Sequence, residues 1–243
     1  MLKIIPVKNK NEGGKITAKI IVDMINEKEK STLGLATGSS PESTYIELVS
    51  AYEAGQVSFE KVKTVNLDEY IGLPKESDQS YHFYMYERLF SKVNMREENV
   101  NIPNGMAGDL DEECKRYNDV IRSLSPVDIQ LLGIGHNGHI GFNEPSDIFS
   151  DGTHVVELTT STIEANSRFF PSKNEVPTRA ITMGTEQIMR AKRIILLAFG
   201  EGKAEALHRA LRGEISPTCP ASILQKHKNL TVIADTEALS KII

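Results

Sequence analysis

The stretch RIILLAF, residues 193–199, constrains the fold more than any other part of the chain. Its run of aliphatic residues leaves no position for a wet face, so a strand built from it belongs in a sheet covered on both sides. Comparable runs recur at 32–36, 62–67, 127–132, 154–158, 180–183 and 230–234. Between them lie turns and helical patterns. Ile16, Ile20, Ile21, Met24 and Ile25 share one helical face, as do Ala204, Leu207, Ala210 and Leu211. Strands alternating with helices are the pattern of parallel strands joined by crossover connections. The expected architecture is α/β, a doubly wound, mostly parallel sheet in a Rossmann-like α/β/α sandwich.

Nothing in the sequence marks a boundary. With 243 residues, 40% of them hydrophobic, the chain can bury a large core as one domain over 1–243. A formal net charge of -5 offers no general attraction for nucleic acid or an anionic membrane, so a small molecule is the expected partner. Cys114 and Cys219 have neither metal-ligand spacing nor a disulfide framework. The N-terminal apolar stretch is too short for a signal peptide, and no run of ~18 apolar residues occurs. A cytoplasmic location is expected.

In doubly wound sheets ligands bind beyond the carboxyl ends of the strands, and three such connections are informative. In LGLATGSSPESTY, Pro41 stands where a first helical residue would, with Ser40 as its expected N-cap. Thr37, Ser39 and Ser40 would add hydroxyls to the free amides of a helix N-terminus, and Gly38 would let a phosphate approach closely. The loop lacks the lysine of a nucleoside-triphosphate site, which favours a phosphomonoester. In NLDEYIGL, Asp68 and Glu69 follow a strand. Adjacent side chains on extended backbone point to opposite faces, so only one can readily face a shared pocket. Asp68 is the expected one.

The third connection, GIGHNGHIGFNEP at 133–145, contains a formal G-x-G-x-x-G. The glycine that should open a helix is followed instead by HIGFNEP, where Gly141 and Pro145 oppose one. His136, His139 and Glu144 could supply metal ligands. Alternatively, His139 could move protons, with a carboxylate orienting its ring.

The segments LGLATGSSPESTY, TVNLDEYIGL, SYHFYM, LLGIGHNGHIGFNEP, ANSRFF and AITMGTEQI run in order along nearly the whole chain. Together they resemble the glucosamine-6-phosphate deaminase (glucosamine-6-phosphate isomerase) family. The resemblance implies conversion of glucosamine 6-phosphate to fructose 6-phosphate and ammonia in amino-sugar catabolism, by a hydrolase-type deaminating isomerase without metal, nucleotide or organic cofactor. It assigns ring opening to His139, with Asn137 orienting the imidazole and Glu144 as the principal carboxylate acting on it. Asp68 would carry a proton from carbon 2 to carbon 1. Thr37, Gly38, Ser39 and Ser40, with Arg168 and Lys203, would hold the phosphate. Residues 158–177, with a short helix at 162–169, would form a lid that Arg168 couples to phosphate binding.

One departure bears on regulation. Allosteric relatives use a serine and a basic pair to bind N-acetylglucosamine 6-phosphate, where this sequence has Asp147, His154 and Val156. No activation by that sugar is expected, and a monomer or small homo-oligomer is preferred to a hexamer. Rival readings are a 6-phosphogluconolactonase-like hydrolase and a non-catalytic sugar-phosphate sensor. Asp68 and Glu144 argue against the first, and the absence of a helix-turn-helix segment against a sensor built as a regulator.

Overall fold

The computed structural model describes residues 2–242. The chain opens with β1 (Leu2–Val7), α1 (Lys10–Glu27), β2 (Thr32–Leu35), α2 (Glu42–Glu53) and β3 (Lys63–Asn66). It continues through β4 (Asp68–Tyr70), α3 (Tyr81–Arg88), β5 (Val100–Asn101), α4 (Leu110–Leu124) and β6 (Ile129–Gly133). Then come β7 (His154–Glu157), α5 (Thr160–Asn166), β8 (Arg179–Thr182), α6 (Thr185–Met189), β9 (Ile194–Ala198), α7 (Ala204–Arg212) and β10 (Leu230–Asp235).

Seven strands form a wholly parallel sheet in the order β1-β10-β9-β6-β2-β3-β5. The aliphatic run at its centre is buried along all of β9. Alternate residues feed two cores: Ile194 and Leu196 pack with Tyr117 of α4 and Leu207 of α7, whereas Ile195 and Leu197 pack with Ile21 of α1 and Leu48 of α2. This is the covered sheet that RIILLAF demands, and the doubly wound α/β expectation holds. Local signals agree with it, since the Asn9 side chain caps α1 by accepting from the amides of Asn11 and Glu12 at 3.0 and 3.1 Å.

The strands expected at 154–158 and 180–183 do not join this sheet. β7 and β8 pair antiparallel and, with β4, form a separate sheet of order β4-β8-β7. Their composition explains the difference: β7 is only partly buried and β8 begins with the exposed Arg179, which suits an antiparallel sheet with one face open. Strands β1, β4 and β5 were not among the expected ones. β1 is an edge strand containing Pro6, a residue that edges tolerate. Ser40 does not cap α2. The helix begins at Glu42, and the Pro41 carbonyl accepts from Thr44 and Tyr45 at 2.9 and 3.1 Å. Among the described residues no helix is long and apolar enough to cross a membrane.

The chain runs from β2 through α2 to β3 on one side, whereas β6 leads on to β9 on the other. Strand order therefore reverses between β2 and β6, and the connections leaving these two strands flank the crevice where such sheets bind ligands.

Candidate active site

That crevice holds a cavity of about 390 Å³, a volume suited to a small ligand. Its walls include the loop after β2, strand β4, the loop after β6 and the segment after α5. All the residues expected to act on or hold the substrate reach it except Glu144, which lies behind His139.

The separation of Asp68 from Glu69 follows from strand geometry. On β4, Asp68 lines the cavity, while Glu69 turns away and accepts from the amides of Tyr70, Tyr81 and His82 at 2.8, 2.9 and 2.8 Å. Glu69 thereby fixes the first turn of α3. Ser80 completes the cap by accepting from the Phe83 amide at 3.0 Å. Asp68 is buried, and among the described residues no hydrogen bond occupies its carboxylate. Burial, with the neighbouring charge of Glu69, pushes its carboxyl up to about 8. Burial also pushes Glu69 up, to about 7, against the pull of its three amide donors.

Glycines make room for the histidine. A Cβ on Gly135 would lie 2.3 Å from Nε2 of His139, so the imidazole occupies the space a side chain there would take. Gly141, at φ +57°, carries the loop past Asp68 in a conformation that disfavours side chains, and a Cβ there would stand 3.3 Å from Asp68 Oδ2. The formal dinucleotide pattern is thus a loop packed around an imidazole and a carboxylate. We expect Gly135→Ala to lower kcat/KM at least tenfold in roughly the way a misplaced catalytic group does. Steady-state kinetics beside a circular dichroism melt would check this, and unchanged activity would remove the packing argument.

Nδ1 of His139 lies 3.4 Å from Oε2 of Glu144. Asn137 makes no direct hydrogen bond to the ring. Its amide donates to the same Glu144 oxygen at 2.5 Å, and its own oxygen accepts from the His139 backbone amide at 3.1 Å. A residue two positions before the histidine is placed by the turn to reach its backbone and the carboxylate behind it. Burial works to raise the Glu144 carboxyl, but hydrogen bonding and charge from His139, with Thr162 and Asn137, outweigh it and hold the group below its usual range. Glu144 also accepts from the Thr159 amide at the start of α5, at 3.4 Å.

Another part of the cavity is electropositive. Arg168 lies in the 3-10 turn Ser167–Phe169 after α5, its guanidinium 4.7 Å from the Phe169 ring centre. Lys203 ends the turn Glu201–Lys203 before α7. Both line the cavity with Thr37, Gly38, Ser39 and Ser40, and among the described residues neither has an ion-pair partner. Burial and the proximity of Arg168 lower the Lys203 ammonium to about 8. Burial, then Lys203 and Arg168, also hold His136 below the usual histidine range. Gly38 sits at φ +90° with its carbonyl fixed by the Tyr84 hydroxyl at 2.7 Å, and nothing would crowd a ligand approaching its backbone. Among the described residues no three His, Cys, Asp or Glu side chains group as metal ligands.

Tyr70, Tyr81, Phe142 and Asn166 also line the cavity. Sequence reasoning gave them no role, although all four lie in the segments TVNLDEYIGL, SYHFYM, LLGIGHNGHIGFNEP and ANSRFF. The helix expected at 162–169 is α5 followed by the Ser167–Phe169 turn.

An anion-attracting, acid–base cavity at the switch point of a doubly wound sheet defines a Rossmann-like enzyme class. Within it, the chain belongs to the family of glucosamine-6-phosphate isomerases and 6-phosphogluconolactonases, whose model matches residues 10–233. The glucosamine-6-phosphate deaminase of Clostridium novyi (strain NT) is 52% identical over 241 residues, covering 99% of this chain and 100% of the relative. That of Oceanobacillus iheyensis is 50% identical over 99% of this chain and 96% of its own. A solved structure of a monomeric glucosamine-6-phosphate deaminase superposes with a TM-score of 0.96 at 48% identity, covering 98% of this chain and 99% of the other. The 6-phosphogluconolactonase of Trypanosoma brucei superposes at a TM-score of 0.81 with 18% identity over 100% and 99% of the two chains, a likeness of fold alone.

Proposed function

We propose that this chain converts glucosamine 6-phosphate and water into fructose 6-phosphate and ammonia. One observation carries the reading: a single cavity is lined both by two cations and by a buried carboxylate which, among the described residues, have no counter-ion and no hydrogen-bond partner respectively. The first arrangement suits a phosphomonoester and the second suits proton abstraction next to a carbonyl. Relatives named for this reaction at about half identity over the full chain support it.

In this reading Thr37, Gly38, Ser39 and Ser40 cradle the phosphate, with Arg168 and Lys203 supplying charge. His139, backed by Glu144, moves the proton between ring oxygen and anomeric oxygen that opens the sugar. Asn137 acts one step removed, by holding Glu144. Asp68 takes the proton from carbon 2 of the open aldehyde and returns it to carbon 1 of the enolamine. The resulting imine at carbon 2 adds water and expels ammonia, leaving the ketone. The overall change is an internal isomerisation with hydrolytic loss of nitrogen, which accounts for a hydrolase-type description. Residues 158–177 act as the lid, and closure around Arg168 excludes water from the enolamine. The residues in place of the allosteric ligands favour catalysis without activation by N-acetylglucosamine 6-phosphate, and we favour a monomer in the cytoplasm. Purified protein should release equimolar ammonia and fructose 6-phosphate from glucosamine 6-phosphate. Absence of both from folded protein would overturn the reading, and a 6-phosphogluconolactone substrate would then be tested.

The two perturbed groups fix an expected pH profile. Asp68 must be ionised to accept a proton, so kcat/KM should rise as pH approaches about 8. Lys203 must be charged to hold phosphate, so it should fall above about 8. The profile is a narrow bell, and Lys203→Arg should remove its alkaline limb because guanidinium stays charged. Rates measured across the neutral and alkaline range check this, and a flat wild-type profile would contradict both assignments.

A further inference from the structure

Tyr70 stands where three parts of the site meet. Only 2% exposed, it follows Asp68 by two positions on β4. Its ring centre lies 4.8 Å from Tyr81 of α3, 5.4 Å from Phe142 of the loop carrying His139, and 5.8 Å from Phe170 after α5. These contacts are packing, and they would suit a phenylalanine equally well.

The hydroxyl adds connection. Asn166, at the end of α5, donates from Nδ2 to Tyr70 Oη at 2.9 Å, across a gap of 96 residues in sequence. Tyr81, the first residue of α3, donates to the same oxygen at 3.4 Å. Burial raises both phenols well above their ordinary range, so both stay protonated. Two residues beyond Asn166 is Arg168.

We propose that Tyr70 and Asn166 are positioning residues: their hydrogen bond ties the segment carrying Arg168 to the strand carrying Asp68, and through the Tyr81 hydroxyl to the start of α3, so one contact sets the cationic and proton-transfer parts of the cavity relative to each other. The inference rests on the sugar-phosphate reading above. Without the bond, the segment bearing Arg168 loses its only polar tether to β4 among the described residues, and phosphate must order it on binding. The cost falls on affinity for the phosphate and less on the chemical step.

The test compares wild type, Tyr70→Phe, Asn166→Ala and the double variant. Steady-state kinetics with glucosamine 6-phosphate would be measured beside calorimetric binding of inorganic phosphate and thermal unfolding. Each single variant should raise KM and the phosphate Kd together, roughly fivefold for one buried hydrogen bond. The double variant should be no worse than the worse single, because both remove the same bond. kcat should fall by less than KM rises. Penalties that multiply in the double variant would overturn the proposal, as would unchanged KM and phosphate Kd beside a lowered Tm. If wild type releases no ammonia, the substrate reading fails, and the phosphate affinities of the four proteins still decide whether the coupling exists.

Discussion

Asp68→Asn should lower kcat/KM for glucosamine 6-phosphate by roughly a thousandfold or more, the upper part of the range for a positioned general base. Asparagine fits the same space between Thr182 and Gly141 but cannot accept the proton from carbon 2. The same change should stabilise the fold. Because burial raises the folded-state pKa of Asp68 from 3.8 to about 8, the folded protein holds a proton there that the unfolded chain has lost. The stability contributed by this group is fully present below about 4 and declines as pH rises toward about 8. Asparagine has no such slope. Urea unfolding should therefore show the variant gaining on wild type from acid to mildly alkaline pH and levelling off above it, with Glu69 contributing its own slope in both proteins. Equal stabilities across that range would mean that Asp68 is not held in a desolvated site.

Arg168→Ala should raise KM roughly a hundredfold: the Arg168 side chain is exposed, and lid closure over a bound phosphate would make it one partner of a desolvated charge-assisted contact, the case to which that loss applies. Lys203 remains, but it is a point charge whose ammonium is lowered to about 8 by burial and by Arg168 itself. Removing the arginine relieves that repulsion and should move the alkaline limb of the pH profile upward. Arg168→Lys should fall between wild type and alanine, since it restores charge without the planar fork. An unchanged KM for the alanine variant would remove Arg168 from the phosphate site.

What could be read from the sequence depended on how locally each feature is determined. RIILLAF announces a doubly covered strand because burial on both faces is written into consecutive residues. The residues of β7 and β8 announce extended backbone but not which sheet they enter, since pairing with β4 is a property of the folded chain. β4 itself is three residues, two of them acidic, and carries no apolar pattern to reveal it. The opposite facing of Asp68 and Glu69 was legible from strand geometry, whereas the capping of α3 by Glu69 was not, because its amide partners include Tyr81 and His82 across a turn. That Asn137 reaches Glu144 and the His139 amide and not the imidazole itself was not legible, because several polar atoms lie within reach of its side chain and sequence cannot choose between them. The link between Tyr70 and Asn166 lay beyond any local pattern.

The pairing of β1 with β10, from Leu2 opposite Leu230 to Val7 opposite Asp235, imposes an order on synthesis. At ordinary translation rates β1 leaves the ribosome roughly ten to fifty seconds before its partner strand exists. During that interval it is an extended segment with an unfilled hydrogen-bonding edge, the kind of segment that recruits other chains. Lys3 and Pro6 within it, and the exposure of half its residues even in the finished sheet, suit a strand that must wait without sticking. The sheet gains this edge only when β10 has formed and β1 can join it.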